Sequence, residues 1–287
     1  MPIYVGQDSA DVWAHTNLFL IDENTLLPRM VAGVPPDYFS EDGQLWGNPL
    51  FDWKKMQEDD FAWWVRRIKH SLSLYDTLRI DHFRGIASFW AVKAGEETAR
   101  NGVWKKGPGM KLFRALNKEI EAPSIIAEDL GEFGEDVERL LKGTGFAGMR
   151  VIQFGFGGED NSHLPHNYPE NCIAYTGTHD NDTLLGWLYN SDEETREYAL
   201  DYCGFNGDWG IGGFASPSCR KLIETVWRTN AYLAVIPLQD MCGFGTDTRM
   251  NTPGVPEGNW CPRFTTDQLS HIDAEYFRKI NNLYKRN

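Results

Sequence analysis

Short apolar runs without polar alternation recur along the chain at residues 3–5, 78–80, 124–127, 150–154, 172–175 and 233–237. A run that is apolar on both faces needs cover on both faces, so these runs predict strands of a parallel sheet. Helical periodicity lies between several of them. Phe61, Trp64, Val65, Ile68, Leu72 and Tyr75 follow three- and four-residue steps, as do Leu112, Phe113, Leu116 and Ile120, and Val137, Leu140 and Leu141 before Gly143. Alternating strand and helix predict an α/β fold with helical crossovers. The stretch 8–60 is too long for an ordinary βα loop and is rich in Pro, Gly, Asp and aromatic residues, which predicts a lid or small subdomain. A helical excursion is predicted over 187–231, with helices at 192–202 and 217–229. A closing helix is predicted over 266–284, with Leu269, Ile272, Tyr276, Ile280 and Leu283 on one face.

The 287 residues are 41% hydrophobic, enough for a sizeable core, so disorder is excluded. A net charge of −13 without a basic run excludes nucleic acid and anionic membrane surfaces as partners and suits a neutral ligand. Five cysteines, an odd number with no C-x-x-C pair, suggest neither a disulfide framework nor a zinc knuckle and point to the cytoplasm. No apolar run reaches membrane length, and residues 1–8 have neither a cationic start nor a long apolar stretch. Most of the eleven Trp are expected in packing, while exposed ones can stack on the apolar face of a sugar ring.

Three of the sequence's apolar runs lead into acidic residues: Arg79-Ile80-Asp81-His82-Phe83-Arg84-Gly85, Ala127-Glu128-Asp129-Leu130-Gly131 and Thr176-Gly177-Thr178-His179-Asp180-Asn181-Asp182. Carboxylates gathered at the carboxyl ends of parallel strands suit glycosidic bond chemistry: one attacks the sugar, one moves a proton, and a third can hold sugar hydroxyls. Arg79 and Asp81 share a strand face by the two-residue period, and a guanidinium favours the ionised carboxylate that a nucleophile requires. A plain Arg–Asp ion pair at a strand end explains the same spacing. Glu128 is expected to be the proton donor, its pKa raised by nearby negative charge and partial burial. Asp129 is the better candidate for capping the following helix. Asp180, beside His179, is either a ligand for sugar hydroxyls or part of a turn-forming Asp-Asn-Asp cluster.

The predicted strands with acids at their carboxyl ends match a (β/α)8 TIM-type barrel, whose site sits at that rim. The expected architecture is one catalytic barrel over 1–287 with the 8–60 and 187–231 insertions. A closed barrel has eight strands and the first run begins at Ile3, so roughly the first two βα units are expected to be missing from the sequence as given.

These segments together resemble the catalytic motifs of the amylomaltase or disproportionating-enzyme family, the 4-α-glucanotransferases. Val31-Ala32-Gly33-Val34-Pro35-Pro36-Asp37-Tyr38-Phe39-Ser40 and Gly43-Gln44-Leu45-Trp46-Gly47-Asn48-Pro49 are similar to that family's loop over the acceptor side of the cleft. Leu164-Pro165-His166-Asn167-Tyr168-Pro169, Arg249-Met250-Asn251 and Gly258-Asn259-Trp260 extend the likeness almost to the end of the chain. The resemblance implies Asp81 as nucleophile, Glu128 as acid/base and Asp180 as transition-state stabiliser. It implies that Arg79, His82 and His179 position substrate and nucleophile, and that Trp46, Tyr38, Phe39 and Phe154, with Asp37 and Asn259, contact the glucan. It further implies an α-1,4-glucan donor, a glucose or maltooligosaccharide acceptor, and neither cofactor nor metal. An acidic pair that some members carry shortly after the residue matching Phe154 is Gly157-Gly158 here. An α-glucan hydrolase, a metal-dependent hydrolase and an inactive glucan-binding remnant are the competing readings. No His-x-His strand supports the metal reading.

Overall fold

The computed structural model describes residues 1–36, 40–131, 134–157, 161–255 and 257–286. The chain divides into two compact units, Met1–Gly148 and Met149–Asn287. Each has its own apolar core.

The first unit carries β1 (Met30–Val34), β2 (Gln44–Pro49), β3 (Leu78–Ile80), β4 (Ser88–Lys93), β5 (Val103–Lys106) and β6 (Ile125–Ala127). β3 and β6 pair in parallel, Leu78 with Ile125, Arg79 with Ile126 and Ile80 with Ala127. Helix Ala62–Leu74 precedes β3 and helix Met110–Glu119 precedes β6. Their buried faces, Trp64, Val65 and Ile68 on one and Leu112, Phe113 and Leu116 on the other, enter one core with Ile80 and Ala127. Helix Glu135–Thr144 follows, with Glu135, Asp136 and Glu138 in its first turn, where the helix dipole favours acids, and Gly145 closing it at φ 70°.

β2, β1, β4 and β5 form a separate antiparallel sheet in that order. β2 and β5 are mostly exposed or half-exposed and carry polar residues, so they lack the continuous apolar signature that marks β3 and β6, whereas most residues of β1 and β4 are apolar and buried or half-buried. The stretch 8–60 thus supplies two strands to a sheet completed from 88–106.

The strand predicted at 3–5 does not form. Ile3 and Tyr4 are buried, but the carbonyls of Pro2 and Ile3 accept from the Arg67 guanidinium and that of Val5 from Asn48 Nδ2, so side chains take the place of a strand ladder. Met1 brackets β3 instead, its N on Arg79 O and its O accepting from Asp81 N at 2.9 Å.

The second unit holds β7 (Gly148–Val151), β8 (Cys172–Tyr175) and β9 (Leu233–Val235), in that order in one sheet, with β8 and β9 parallel. The run predicted at 150–154 leaves the strand after Val151 and becomes a 3-10 helix, Ile152–Phe156. Its ladder groups are taken by side chains: Val151 N donates to His163 Nδ1 and Asn161 Nδ2 donates to Phe154 O. Helices Leu184–Asn190, Glu193–Cys203 and Pro217–Trp227 pack Leu184, Leu188, Leu200, Leu222 and Val226 over the sheet residues Cys172 and Ala174.

The single closing helix predicted over 266–284 is two helices, Thr266–Leu269 and Ala274–Tyr284. The first ends at Leu269 with Ser270 as its C-cap, and Asp273 caps the second, accepting from Tyr276 N at 3.0 Å. Phe277 and Ile280 form the buried face, whereas Leu269 and Leu283 are exposed.

Candidate active site

Parallel pairing of β3 with β6 brings the first unit's candidate residues together. Ile80 lies opposite Ala127, so the next residues, Asp81 and Glu128, leave neighbouring strands at the same end. Glu128 N donates to Ile80 O at 2.9 Å and Phe83 N donates to Glu128 O at 3.1 Å, which extends the register through both. Arg79 donates to Asp81 Oδ1 at 2.5 Å, with the carboxylate 43% exposed and therefore reachable.

Glu128 is held at both carboxyl oxygens. His82 N donates to Oε2 at 2.6 Å and Leu130 N to Oε1 at 2.8 Å. Burial pushes its pKa up to about 7 and the Asp81 charge adds to this, while the two amides and Arg79 act in the opposite sense. His82 takes φ 50°, a left-handed conformation that is costly for a residue with a Cβ. Its ring packs in a triangle with Trp46, edge-on at 4.8 Å, and Tyr4 at 6.5 Å, which are 6.2 Å from each other. Burial, helped by Arg84, lowers the imidazole to about 3, so it is neutral at physiological pH. Trp46, from β2, is 37% exposed.

Asp129 does not cap a helix. The next one starts at Glu135 behind Gly134, and Asp129 is buried against Gly148, where a Cβ would collide with its carboxylate.

The second unit holds Asp180 on the loop between β8 and helix Leu184–Asn190. Asn251 Nδ2 donates to Asp180 Oδ1 at 2.6 Å, Arg249 donates to Asp180 O at 2.7 Å, and His179 Nε2 lies 3.1 Å from Oδ2. Arg249 Nε also binds Asn251 O, so these two residues act as one clamp. The loop is braced internally by Asn181 Oδ1, which accepts from Thr178 N and Thr178 Oγ1. The turn-forming role expected of an Asp-Asn-Asp cluster therefore falls to Asn181, while Asp180 keeps its carboxylate at the surface. Asp182 accepts from Thr183 N, Asn190 Nδ2 and Thr246 Oγ1.

Trp260 stands 5.2 Å from the His179 ring, and both line a cavity of about 190 Å³ with Thr178, Gln239, Arg249 and Met250. Asn259 spends its amide on its own loop, accepting from Thr252 N and donating to Val255 O. Phe154 is half-buried and edge-on to His163 at 5.6 Å. Asp37, Tyr38 and Phe39 lie outside the described residues. Among the described residues no three His, Cys, Asp or Glu side chains converge to hold a metal ion. The resemblance singles out the segment Arg249-Met250-Asn251, but the roles of Asn251 and Arg249 in holding Asp180 join residues about seventy positions apart and are not given by that segment alone.

The chain belongs to the 4-alpha-glucanotransferase family of glycoside hydrolase type 77, whose model matches residues 1–269. It is 45% identical over 294 residues to the 4-alpha-glucanotransferase of Clostridium butyricum, aligning all of this chain with 58% of that protein. It is 46% identical to the chloroplastic/amyloplastic 4-alpha-glucanotransferase DPE1 of Arabidopsis thaliana, aligning all of this chain with 49% of that one. The structure superposes on amylomaltase from Streptococcus agalactiae in complex with acarbose with a TM-score of 0.93 at 39% identity, covering 99% of this chain and 56% of that one. The chain thus spans about half the length of the curated relatives it matches.

Proposed function

We propose that this chain carries the catalytic residues of a retaining 4-α-glucanotransferase, moving α-1,4-glucan segments to glucose or a maltooligosaccharide. Asp81 attacks the anomeric carbon and forms a glycosyl ester as the glycosidic bond breaks. Glu128 gives its proton to the departing oxygen, then as a carboxylate takes a proton from the acceptor hydroxyl that displaces Asp81. Asp180 holds sugar hydroxyls as positive charge develops on the ring. Arg79, His82 and His179 position substrate and nucleophile, Trp46, Tyr38, Phe39, Phe154 and Asp37 contact the glucan, and Asn259 contributes through the loop that presents Trp260.

One observation carries this reading: Glu128, half-buried with its pKa pushed up to about 7, is hydrogen-bonded to the amide next to Asp81. An acid and a nucleophile held on adjacent strands are what a two-step displacement needs. The acarbose in the similar amylomaltase structure fits an oligosaccharide substrate. For the fold we propose a (β/α)8 barrel with 8–60 as a lid over the acceptor side, a reading the parallel pairs β3–β6 and β8–β9 support. No helix among the described residues is long and apolar enough to cross a membrane, and no disulfide joins the cysteines among the described residues; from their number and spacing we propose a reducing compartment such as the cytoplasm.

The test is to incubate the full protein with maltotriose and resolve the products. Glucose together with maltopentaose and longer chains is expected. Glucose and maltose without longer products would favour a hydrolase, and no products at all an inactive remnant. Trapping with a fluorinated maltosyl donor should label Asp81, and a label elsewhere would remove it as the nucleophile.

A further inference from the structure

The sequence between Leu238 and Asn251 holds the Asp180 loop at its rim, its side and its base. At the rim are Arg249 and Asn251, at the side Thr246 on Asp182, and at the base Asp240. Asp240, from the short helix Leu238–Cys242, is 2% exposed. Its Oδ2 accepts from Thr176 Oγ1 at 2.5 Å and its Oδ1 accepts from Leu184 N at 2.7 Å. Thr176 directly follows β8, and Leu184 opens the helix after the loop. One carboxylate therefore closes the two ends of the loop that presents His179 and Asp180.

We propose that Asp240 is a positioning residue for the glucan site, a buried clamp that sets where Asp180 stands. The inference rests on the proposed transferase function. The position is an expensive place for an acid. Burial pushes the carboxyl up to about 6, and the Asp182 charge works in the same direction, while the bonds from Thr176 and Leu184 oppose it. A core that needed only packing there would be served by an apolar side chain of similar volume. An acid instead offers an acceptor at each oxygen, and both donors it satisfies belong to the ends of one loop.

The rim clamp makes this placement consequential. Asn251 reaches Asp180 Oδ1 from the same segment that carries Asp240, so a loop released at its base can no longer meet Asn251 and the sugar at once. Misplacement of a charged group by about 1 Å is worth roughly 10²-fold in rate.

The experiment compares Asp240→Ala, Asp240→Asn and Thr176→Val with wild type in the full protein. Turnover of maltotriose is normalised to the folded fraction by near-UV circular dichroism. Alanine removes both acceptors; kcat is expected to fall about 10²-fold with KM changed less than about threefold. Asparagine keeps an acceptor for Leu184 N and can donate to Thr176 Oγ1, whose hydroxyl rotates, so it should recover at least about tenfold of that loss. Thr176→Val removes one bond and leaves Leu184 satisfied, which gives a readout should the alanine variant fail to fold; a loss of about 3- to 10-fold in kcat is expected. Folded Asp240→Ala or Thr176→Val protein with wild-type kcat would overturn the inference, as would an asparagine variant no better than alanine. Wild-type protein that makes no longer oligomers would sink the transferase reading instead, so the two failures are distinguishable.

Discussion

The amide of His82 donates to Glu128 Oε2 at 2.6 Å, and His82 itself takes φ 50° at the end of β3. The amide that follows Asp81 thus points to the neighbouring strand's carboxyl. The nucleophile and the acid proposed for the two halves of the reaction are thereby tied through one backbone group. An ionised Glu128 strengthens this bond, and burial weakens the preference for ionisation, which leaves the group poised between its two roles.

Glu128→Gln should cut turnover of maltotriose by about 10²- to 10⁴-fold, because the sugar leaving group needs a proton. Transfer from an α-maltosyl fluoride, whose leaving group needs little protonation, should lose far less in the first step. Steady-state kinetics with both donors decides it. Equal losses would take Glu128 out of proton transfer.

The pH dependence follows from the same carboxyl. Its pKa lies at about 7, above its ordinary 4.5, so the protonated form that acts as acid disappears as pH rises through about 7. The donor kcat/KM should therefore fall about tenfold per pH unit above that point, and the fall should vanish with the fluoride donor. Stability moves in the same direction. A carboxyl whose folded pKa is raised contributes stability that is fully present below about 4.5 and is lost as pH rises through about 7. Wild type should lose urea midpoint relative to Glu128→Gln across that window, and a constant difference would show that Glu128 does not titrate there.

Asn251→Ala removes the amide that holds Asp180 Oδ1 and leaves Arg249 on the Asp180 carbonyl. Hydrogen bonds to charged groups are worth about 1.5–3 kcal/mol, so a loss of roughly 10- to 100-fold in kcat is expected, with the folded fraction unchanged. Asn251→Asp, which sets a second carboxylate against Asp180, should be worse than alanine. Kinetics at matched folded fraction separates the two, and an aspartate variant as active as the alanine one would show that the contact does not serve catalysis.

The sequence reveals those parts of the site whose chemistry lies within a few residues of a strand end. Arg79 and Asp81 share a strand face, Glu128 follows the paired strand, and their meeting follows from parallel register alone. Helices with strong three- and four-residue periodicity, such as Ala62–Leu74 and Met110–Glu119, are legible for the same reason. What escapes is non-local. The side chains of Arg67 and Asn48 take up the carbonyls of the strand expected at 3–5, and Asp180 is held by residues about seventy positions away. The antiparallel sheet escapes in part because its strands β2 and β5 are mostly exposed or half-exposed and carry no continuous apolar run.

Phe113 tests whether the core of the first unit governs the site it supports. It is 1% exposed, stacks on Phe83 at 5.6 Å and meets Phe146 edge-on at 5.2 Å. Phe83 follows His82 directly, so this aromatic cluster lies under the turn that presents Asp81 and aims the His82 amide at Glu128. Phe113→Ala removes a buried ring and leaves a cavity, at a cost of about 3–5 kcal/mol, against a typical domain stability of about 5–15 kcal/mol. Urea denaturation should show that loss. With Phe83 free to sink into the space, the His82 amide should also move off Glu128, so kcat per folded molecule should fall and the alkaline limb of the pH profile should shift upward as the carboxyl loses a donor. A variant that loses stability yet keeps the wild-type kcat and pH profile would show that the turn holds its shape without the cluster beneath it.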